Sequence, residues 1–179
     1  MIYNDYGYET DDEFSIAADR RTATLEMLDQ LLGDGVPVDA LGVQAHLHAG
    51  GFAEAFDPSA YRAFLAQVAD RGLRILVTEL DVLDDGLPPD VVDRDRAVAD
   101  AIQRYLDAAL EEPSVAALVT FGLSDRYTWL QEDYPREDGA PRRPLPFDEE
   151  MRPKPAYDAI AAGVADAAPR AVAWTPPRC

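Results

Sequence analysis

Cysteine is almost absent from this sequence, which has a single one, Cys179, at its last position. One cysteine excludes an intramolecular disulfide and any metal site built from several cysteines. Long apolar runs are absent too, because no stretch approaches the roughly 20 residues that a membrane-spanning helix needs. The first residues contain no basic region followed by an apolar stretch, and we therefore expect no signal peptide.

Basic residues are scarce: 16 stand against 34 acidic ones, and the formal net charge is −18. This excess of negative charge argues against nucleic acid and against an anionic membrane surface as partners. No glycine-rich phosphate loop follows a predicted strand, which weakens the case for a nucleotide-binding protein. With 179 residues, 47% of them hydrophobic, the chain is long enough for one domain with a substantial core.

Short apolar segments alternate with segments of helical periodicity along the chain. Strands are predicted near residues 2–6, 41–47, 73–80 and 115–123, and helices near residues 12–32, 58–71, 93–112 and 155–165. Strict alternation is typical of a parallel sheet with helices outside it, and the fold class is therefore α/β. We expect residues 1–165 to form one domain with a long loop at 124–153, and residues 166–179 to be a disordered tail.

The strand predicted at 73–80 runs into two carboxylates, Glu79 and Asp81. Residues two apart in a strand point to the same side, and a buried carboxylate pair needs a partner or an open cleft. Gln44 and His46 have the same spacing at the end of the preceding strand. We therefore expect His46 to bond Glu79 or Asp81 and to hold a nucleophile in one rotamer. Glu79 is a candidate nucleophile, general base or metal ligand, and a solvated strand end is the simpler alternative.

Aromatic residues gather at or just beyond the predicted strand ends: Tyr6, Phe121, Tyr127 and Trp129. Polar and aromatic groups at the carboxyl ends of parallel strands are typical of a (β/α)₈ barrel active site, and also of a doubly wound sheet. Such rings can stack on the flat faces of sugars, and plain packing is the alternative. His48 continues the strand toward Gly50 and is expected at the rim.

Five segments carry a resemblance to a known family. They are Tyr-Asn-Asp-Tyr at 3–6, Gly-Val-Gln-Ala-His-Leu at 42–47, Val-Thr-Glu-Leu-Asp at 77–81, Gly-Leu-Ser-Asp-Arg-Tyr-Thr-Trp at 122–129 and Pro-Lys-Pro-Ala-Tyr at 153–157. In this order and spacing they resemble family-10 glycoside hydrolases, which are mainly endo-1,4-β-xylanases. The resemblance covers residues 2–163. It implies a TIM (β/α)₈ barrel of which this chain supplies roughly strands five to eight, xylan or xylo-oligosaccharides as substrate, and neither a cofactor nor a metal.

The resemblance also implies roles for individual residues. Glu79 is similar to the nucleophile of a retaining mechanism, which needs a carboxylic acid/base about 5–5.5 Å away. His46 and Asp81 are similar to the residues that support that nucleophile. The positions that match substrate contacts are Asn4, Tyr6, Gln44, Phe121 and Trp129.

The chain departs from the family pattern at three points. Gly7 replaces the last asparagine of the first motif, and Phe121 replaces a tryptophan that packs under the sugar. The acid/base glutamate has no counterpart, because the 179 residues contain no Asn-Glu dipeptide. A whole barrel needs about 250 residues, so we expect the carboxyl-terminal half of a xylanase. A truncated product, a fragment of a longer gene and half of a two-chain barrel all stay open.

Two consequences and two alternatives follow from this partial match. The isolated chain should be inactive or weak, since general acid catalysis contributes about 10²–10⁴-fold. Its open sheet edges predict a second half-barrel chain or self-association, and the family predicts an extracellular site of action. One alternative is a non-catalytic carbohydrate-binding remnant that uses Tyr6, Phe121 and Trp129. The other is a metal-dependent barrel enzyme whose ligands would be Glu79, Asp81, His46 and His48.

Overall fold

Strands and helices alternate along most of the chain, as the sequence predicts. The computed structural model describes residues 1–11 and 16–170. The strands are β1 (Ile2–Asp5), β2 (Ala40–Val43), β3 (His46–His48), β4 (Arg74–Leu83) and β5 (Val115–Thr120). The helices are α1 (Ala17–Gly33), α2 (Phe52–Ala55), α3 (Pro58–Asp70), α4 (Val91–Ala109), α5 (Leu130–Asp133) and α6 (Pro155–Asp166). The α/β class is therefore confirmed.

All strand pairings in the sheet are parallel. β1 pairs with β2, β2 with β4, and β4 with β5, while β3 runs beside the later part of β4. Within the described ranges, β1 pairs with β2 alone and β5 with β4 alone, which leaves their outer edges unpaired. Ile2 and Val119, on these two edge strands, are 49% and 51% exposed. Unpaired parallel edges with exposed apolar side chains favour pairing with further strands.

The core lies between one face of the sheet and the helices. Alternate residues of the two central strands, such as Leu41, Val43, Ile75 and Val77, are at most 1% exposed because they point toward this layer. The helical side of the core consists mainly of Tyr61, Phe64, Leu65 and Val68 from α3 and Val98, Ile102, Tyr105 and Leu106 from α4. Burying each such side chain stabilises the fold by about 1.5–3 kcal/mol. The other face of the sheet presents Asn4 and Thr78.

The start of α3 is where the sequence predicts it. Asp57 Oδ1 accepts hydrogen bonds from the amides of Ser59 (2.9 Å) and Ala60 (3.0 Å), and Pro58 occupies the first helical position. Such an N-cap satisfies amides that have no partner inside the helix. Asp90 caps α4 in the same way.

Two predicted features touch residues outside the described ranges. The first is the helix start predicted at Asp12, which lies outside the described residues; the described helix α1 begins at Ala17. The other is the disordered tail: residues 171–179 lie outside the described part, so it stays a prediction. Arg170 donates to the carbonyls of Leu110 and Val115, each at 2.7 Å. Among the described residues, none of the helices combines the length and the apolar composition that a membrane span requires.

The prediction of one strand over residues 41–47 is wrong. The strand ends after Val43 because Ala45 takes a left-handed conformation with φ of 60°. This conformation is unusual for a residue with a side chain. The strand resumes as β3, with Val43 paired to Val77 but His46 paired to Asp81. Between these two pairs, β4 therefore has one residue more than the segment from Val43 to His46 that it faces. The short helix α5 and the 3₁₀ turn at Asp125–Tyr127 lie in the segment predicted as a loop, and α2 lies where the sequence predicts no element.

Candidate active site

His46 lies between two carboxylates at the carboxyl end of the sheet. Its Nδ1 is 2.7 Å from Asp81 Oδ1, and its Nε2 is 3.3 Å from Glu79 Oε2. Burial lowers the pKa of His46, but the hydrogen bond and charge of Asp81, with those of Glu79, outweigh burial and raise it. The imidazole is therefore oriented by one carboxylate and presented to the other.

Asp81 is almost completely buried, and both of its oxygens have partners. Oδ1 faces His46, and Oδ2 accepts a hydrogen bond of 2.8 Å from the indole Nε1 of Trp129. The side chain is only 1% exposed, so these contacts satisfy a carboxylate that would otherwise be costly to bury. Asp81 is thus fixed in place and shielded from solvent.

Both carboxylate oxygens of Glu79 also have partners, but the side chain stays accessible from the face of the sheet that presents Asn4 and Thr78. Asn4 Nδ2 donates to Oε1 over 2.8 Å, and His46 lies at Oε2. Asn4 is itself oriented by Thr78, whose hydroxyl donates to Asn4 Oδ1 over 2.8 Å. The Glu79 side chain is 20% exposed. A carboxylate with one fixed rotamer and an open approach has the geometry that a nucleophile needs.

A glycine makes room for the Asn4 contact. A Cβ atom on Gly42 would lie 2.5 Å from Asn4 Oδ1, which is far inside the usual contact distance. Gly42 pairs with Asn4 across β1 and β2. The absence of a side chain at this position therefore lets Asn4 reach Glu79.

Aromatic rings surround His46. The Phe121 and Trp129 rings lie 5.5 Å and 5.4 Å from the imidazole, each roughly edge-on, and 6.2 Å from one another. Tyr134, which the sequence does not single out, packs edge-on against Trp129 at 5.6 Å. Phe121 is 43% exposed, so part of its surface faces solvent beside His46. Such surfaces are available for stacking on a sugar ring.

Two predicted contacts lie at the margin of this cluster. Tyr6 follows β1, is 43% exposed and has the Arg20 guanidinium 4.6 Å from its ring centroid. Gln44 is half-buried, and its carbonyl accepts a 3.1 Å hydrogen bond from the Glu79 amide. Gln44 thus supports Glu79 through its backbone.

His48 lies apart from the cluster, 3.4 Å from Asp85 on the loop after β4. In the described part of the chain, no group of three or more His, Cys, Asp or Glu side chains is arranged to hold a metal ion. His46 contacts both Glu79 and Asp81 directly. This geometry gives no support to the metal-dependent alternative.

The loop that carries Trp129 is fastened by buried ion pairs. Asp84, fully buried just after β4, lies 3.0 Å from Arg142 and 3.3 Å from Arg94. Farther along the chain, Lys154 donates to Asp125 Oδ2 over 2.9 Å. Burial raises the pKa of Asp125, although the charge of Lys154 opposes the shift. These contacts connect the loop to β4 and α4 and so hold Trp129 beside Asp81.

The sequence matches one family model and many proteins of that family. The model of glycosyl hydrolase family 10 matches residues 1–163. The chain is 31% identical over 162 residues to endo-1,4-β-xylanase B of Thermotoga neapolitana, covering 89% of this chain and 42% of that protein. The chain therefore spans less than half the length of this relative.

The fold matches solved structures of xylanases. Native xylanase 10B from Thermotoga maritima superposes with a TM-score of 0.76 and 30% identity, over 92% of this chain and 46% of that one. Xylanase 10B from Thermotoga petrophila, solved in complex with xylobiose, gives a TM-score of 0.76 with 29% identity over the same shares. The parallel sheet is thus part of a TIM barrel, as expected from the resemblance.

Proposed function

Because the chain belongs to glycosyl hydrolase family 10, we propose that it forms the nucleophile-bearing half of an endo-1,4-β-xylanase barrel. Its reaction is the retaining hydrolysis of β-1,4-xylosidic bonds in xylan. The observation that carries this proposal is the double anchoring of Glu79 by Asn4 and His46, while the carboxylate stays 20% exposed. The xylobiose complex of the Thermotoga petrophila enzyme supports xylo-oligosaccharides as ligands.

Glu79 is the nucleophile in this proposal. Its carboxylate attacks the anomeric carbon and forms a covalent glycosyl-enzyme, which water then hydrolyses. Asn4 and His46 hold the attacking oxygen atoms in position. Asp81 keeps His46 oriented through the 2.7 Å contact and does not meet the sugar itself, because it is buried. Phe121, Trp129, Tyr6 and Gln44 line the approach to Glu79.

The acid/base comes from outside these 179 residues. Asp81 is bonded at both oxygens, so it is not available to protonate a leaving group. The relatives are more than twice as long as the matched region, and the unpaired edges of β1 and β5 are where further parallel strands would close the barrel. We propose that a second half-barrel fills this position. Self-association is the competing way to cover the edges, and an extracellular site of action is part of the same proposal.

The experiment is turnover of an aryl β-xylobioside by the purified chain. An aryl leaving group needs little protonation, so the assay tests Glu79 without the acid/base. We expect slow release that Glu79→Ala abolishes. Glu111→Gln serves as the matched control, because Glu111 is an exposed carboxylate paired with Arg62 on the helical side. Release that survives in Glu79→Ala would refute the assignment.

Two further measurements separate the possible reasons for no release. A 2-deoxy-2-fluoro xylobioside with a good leaving group should label the peptide that contains Glu79, since the fluorine slows hydrolysis of the glycosyl-enzyme. Adding the amino-terminal half of a related barrel should restore activity on xylan. Xylobiose binding that persists in Glu79→Ala, with neither labelling nor restored activity, would instead favour the carbohydrate-binding remnant.

A further inference from the structure

The segment after β1, residues 6–11, folds back into the helical layer. We refer to it as the first loop. Gly7 has φ of +77°, a conformation that side chains disfavour, and this turns the chain inward. Tyr8 is completely buried, with its ring stacked 4.9 Å from that of Phe64 in α3. Its carbonyl accepts a 3.0 Å hydrogen bond from Arg21 in α1. The first loop is therefore anchored on two helices.

Glu9 follows Tyr8 into the interior, where the proposed mechanism gives it no role. The residue is 5% exposed. Its Oε2 accepts a 3.0 Å hydrogen bond from the Tyr8 amide, whereas Oε1 is buried and has no hydrogen-bond partner. An ionised carboxylate with one unsatisfied oxygen is costly in such a place. A neutral carboxyl group fits better, because it needs fewer donors around it.

Charged and titratable groups face Glu9 from four elements. Arg21 of α1 and His46 of β3 interact with it electrostatically, as do Tyr61 of α3 and Tyr105 of α4. The two tyrosine hydroxyls lie 3.0 Å apart and bond to each other. Burial raises the pKa of Glu9 to about 7, although the backbone amides of Glu9 and Tyr8, together with His46 and Arg21, oppose the shift.

We propose that Glu9 is a pH-sensitive latch, whose neutral carboxyl group holds the first loop inside the tyrosine-lined interior and whose ionisation releases it. The latch depends on the burial of Tyr8 and Glu9, not on whether the chain binds a sugar. Tyr6 is the first residue of this loop, so release of the loop displaces the Tyr6 ring at the margin of the candidate active site. The inference therefore stands independently of the proposed function.

The direction of the pH effect follows from proton linkage. Glu9 binds its proton more tightly in the closed loop, with a pKa of about 7, than in the open loop, where the ordinary value is 4.5. The stabilisation of the closed loop by the neutral carboxyl group is fully present below pH 4.5 and is lost as the pH rises toward 7. The opening equilibrium should grow about tenfold per pH unit between pH 5 and 7, and level off above 7.

Amide hydrogen exchange of the full chain measures this opening. After correction for intrinsic exchange, protection of residues 6–11 should fall about tenfold per pH unit between pH 5 and 7. Residues 6–11 should be less protected than β4 at every pH in this window, which separates opening of the first loop from global unfolding. Glu9→Gln should remove the pH dependence, because its amide does not ionise. Glu26→Gln, at an exposed position of α1, is the matched control and should behave like the wild type.

Two outcomes would overturn the latch. One is an equal pH dependence in the wild type and in Glu9→Gln, which would assign the effect to His46 or another group. The other is a carbon NMR titration in which the Glu9 carboxyl group of the wild type changes near pH 4.5 rather than near 7. The second measurement needs no variant, so it decides the matter even if Glu9→Gln fails to fold.

Discussion

Trp129 donates a hydrogen bond of 2.8 Å to Asp81, 48 residues earlier in the sequence. This contact connects the loop after β5 to the strand that carries Glu79. Because Asp81 also bonds His46, and His46 contacts Glu79, one indole N–H begins a chain of contacts that ends at the candidate nucleophile. The position of the loop and the position of Glu79 are therefore coupled.

Replacing Trp129 by Phe tests this coupling. The variant keeps an aromatic ring but leaves Asp81 Oδ2 buried without a donor, which costs about 1–3 kcal/mol. We expect the free energy of unfolding, measured in urea, to fall by that amount. Tyr127→Phe is the control, because Tyr127 is 74% exposed, and it should change stability by less than about 0.5 kcal/mol. Equal unfolding midpoints for Trp129→Phe and the wild type would contradict the coupling.

Asn4→Ala removes the side-chain amide that donates to Glu79 Oε1. A hydrogen bond to a charged group contributes about 1.5–3 kcal/mol, so labelling by the fluoro-xylobioside should slow roughly 10–100-fold. The affinity for xylobiose should change little, since the contact orients the nucleophile. Thr78→Val should give a smaller loss, because Asn4 stays present but loses its 2.8 Å donor. A labelling rate unaffected by Asn4→Ala would argue against the positioning role.

Gly42→Ala disturbs the hydrogen bond between Asn4 and Glu79 from the neighbouring strand. The new Cβ would lie 2.5 Å from Asn4 Oδ1, so Asn4 must move away from Glu79. We expect a loss of labelling rate similar to that of Asn4→Ala, and no further loss when the two changes are combined. Gly33→Ala, where nothing lies within 4 Å of the added atom, is the control and should label at the wild-type rate. Additive losses in the double variant would mean that Gly42 acts elsewhere.

Local sequence patterns predict much of this fold because its strands are apolar runs and two of its long helices, α3 and α4, begin at clear caps. Asp57 before Pro58 is one such cap. The split between β2 and β3 escapes prediction, since nothing about Ala45 in the sequence indicates its left-handed backbone. The four short apolar segments also cannot show which strands lie at the edges.

The contacts of the candidate site are likewise predictable from the sequence only in part. The equal spacing of Gln44 with His46 and of Glu79 with Asp81 on neighbouring strands predicts that His46 bonds a carboxylate, and it contacts both. The bond from Asn4 to Glu79 joins residues 75 positions apart, and only the fold brings them together. Tyr134 lies in an irregular segment whose sequence gives no periodic signal. Whether these residues act as proposed stays a prediction.

His46 should make stability depend on pH. Its folded-state pKa is raised above the ordinary value of 6.5, because Asp81 and Glu79 outweigh the effect of burial. The resulting stabilisation is fully present below pH 6.5 and is lost as the pH rises through the folded-state pKa. We expect the difference in unfolding free energy between the wild type and His46→Gln to shrink across this window. A difference that stays constant across this window would contradict the stabilising role of the two carboxylates at His46.

Asp84→Asn tests whether the buried ion pairs hold the loop. Asp84 is fully buried, 3.0 Å from Arg142 and 3.3 Å from Arg94, so the change leaves two buried guanidinium groups without their carboxylate. Breaking a buried pair from one side costs about 3–5 kcal/mol, a large part of a domain's stability. We expect a much lower urea midpoint and, in the folded fraction, faster amide exchange around Trp129. Asp138→Asn, which removes a more exposed partner of Arg136, should leave the midpoint nearly unchanged. If Asp84→Asn unfolds at the wild-type midpoint, the loop must be held by its other contacts, such as that of Lys154 with Asp125.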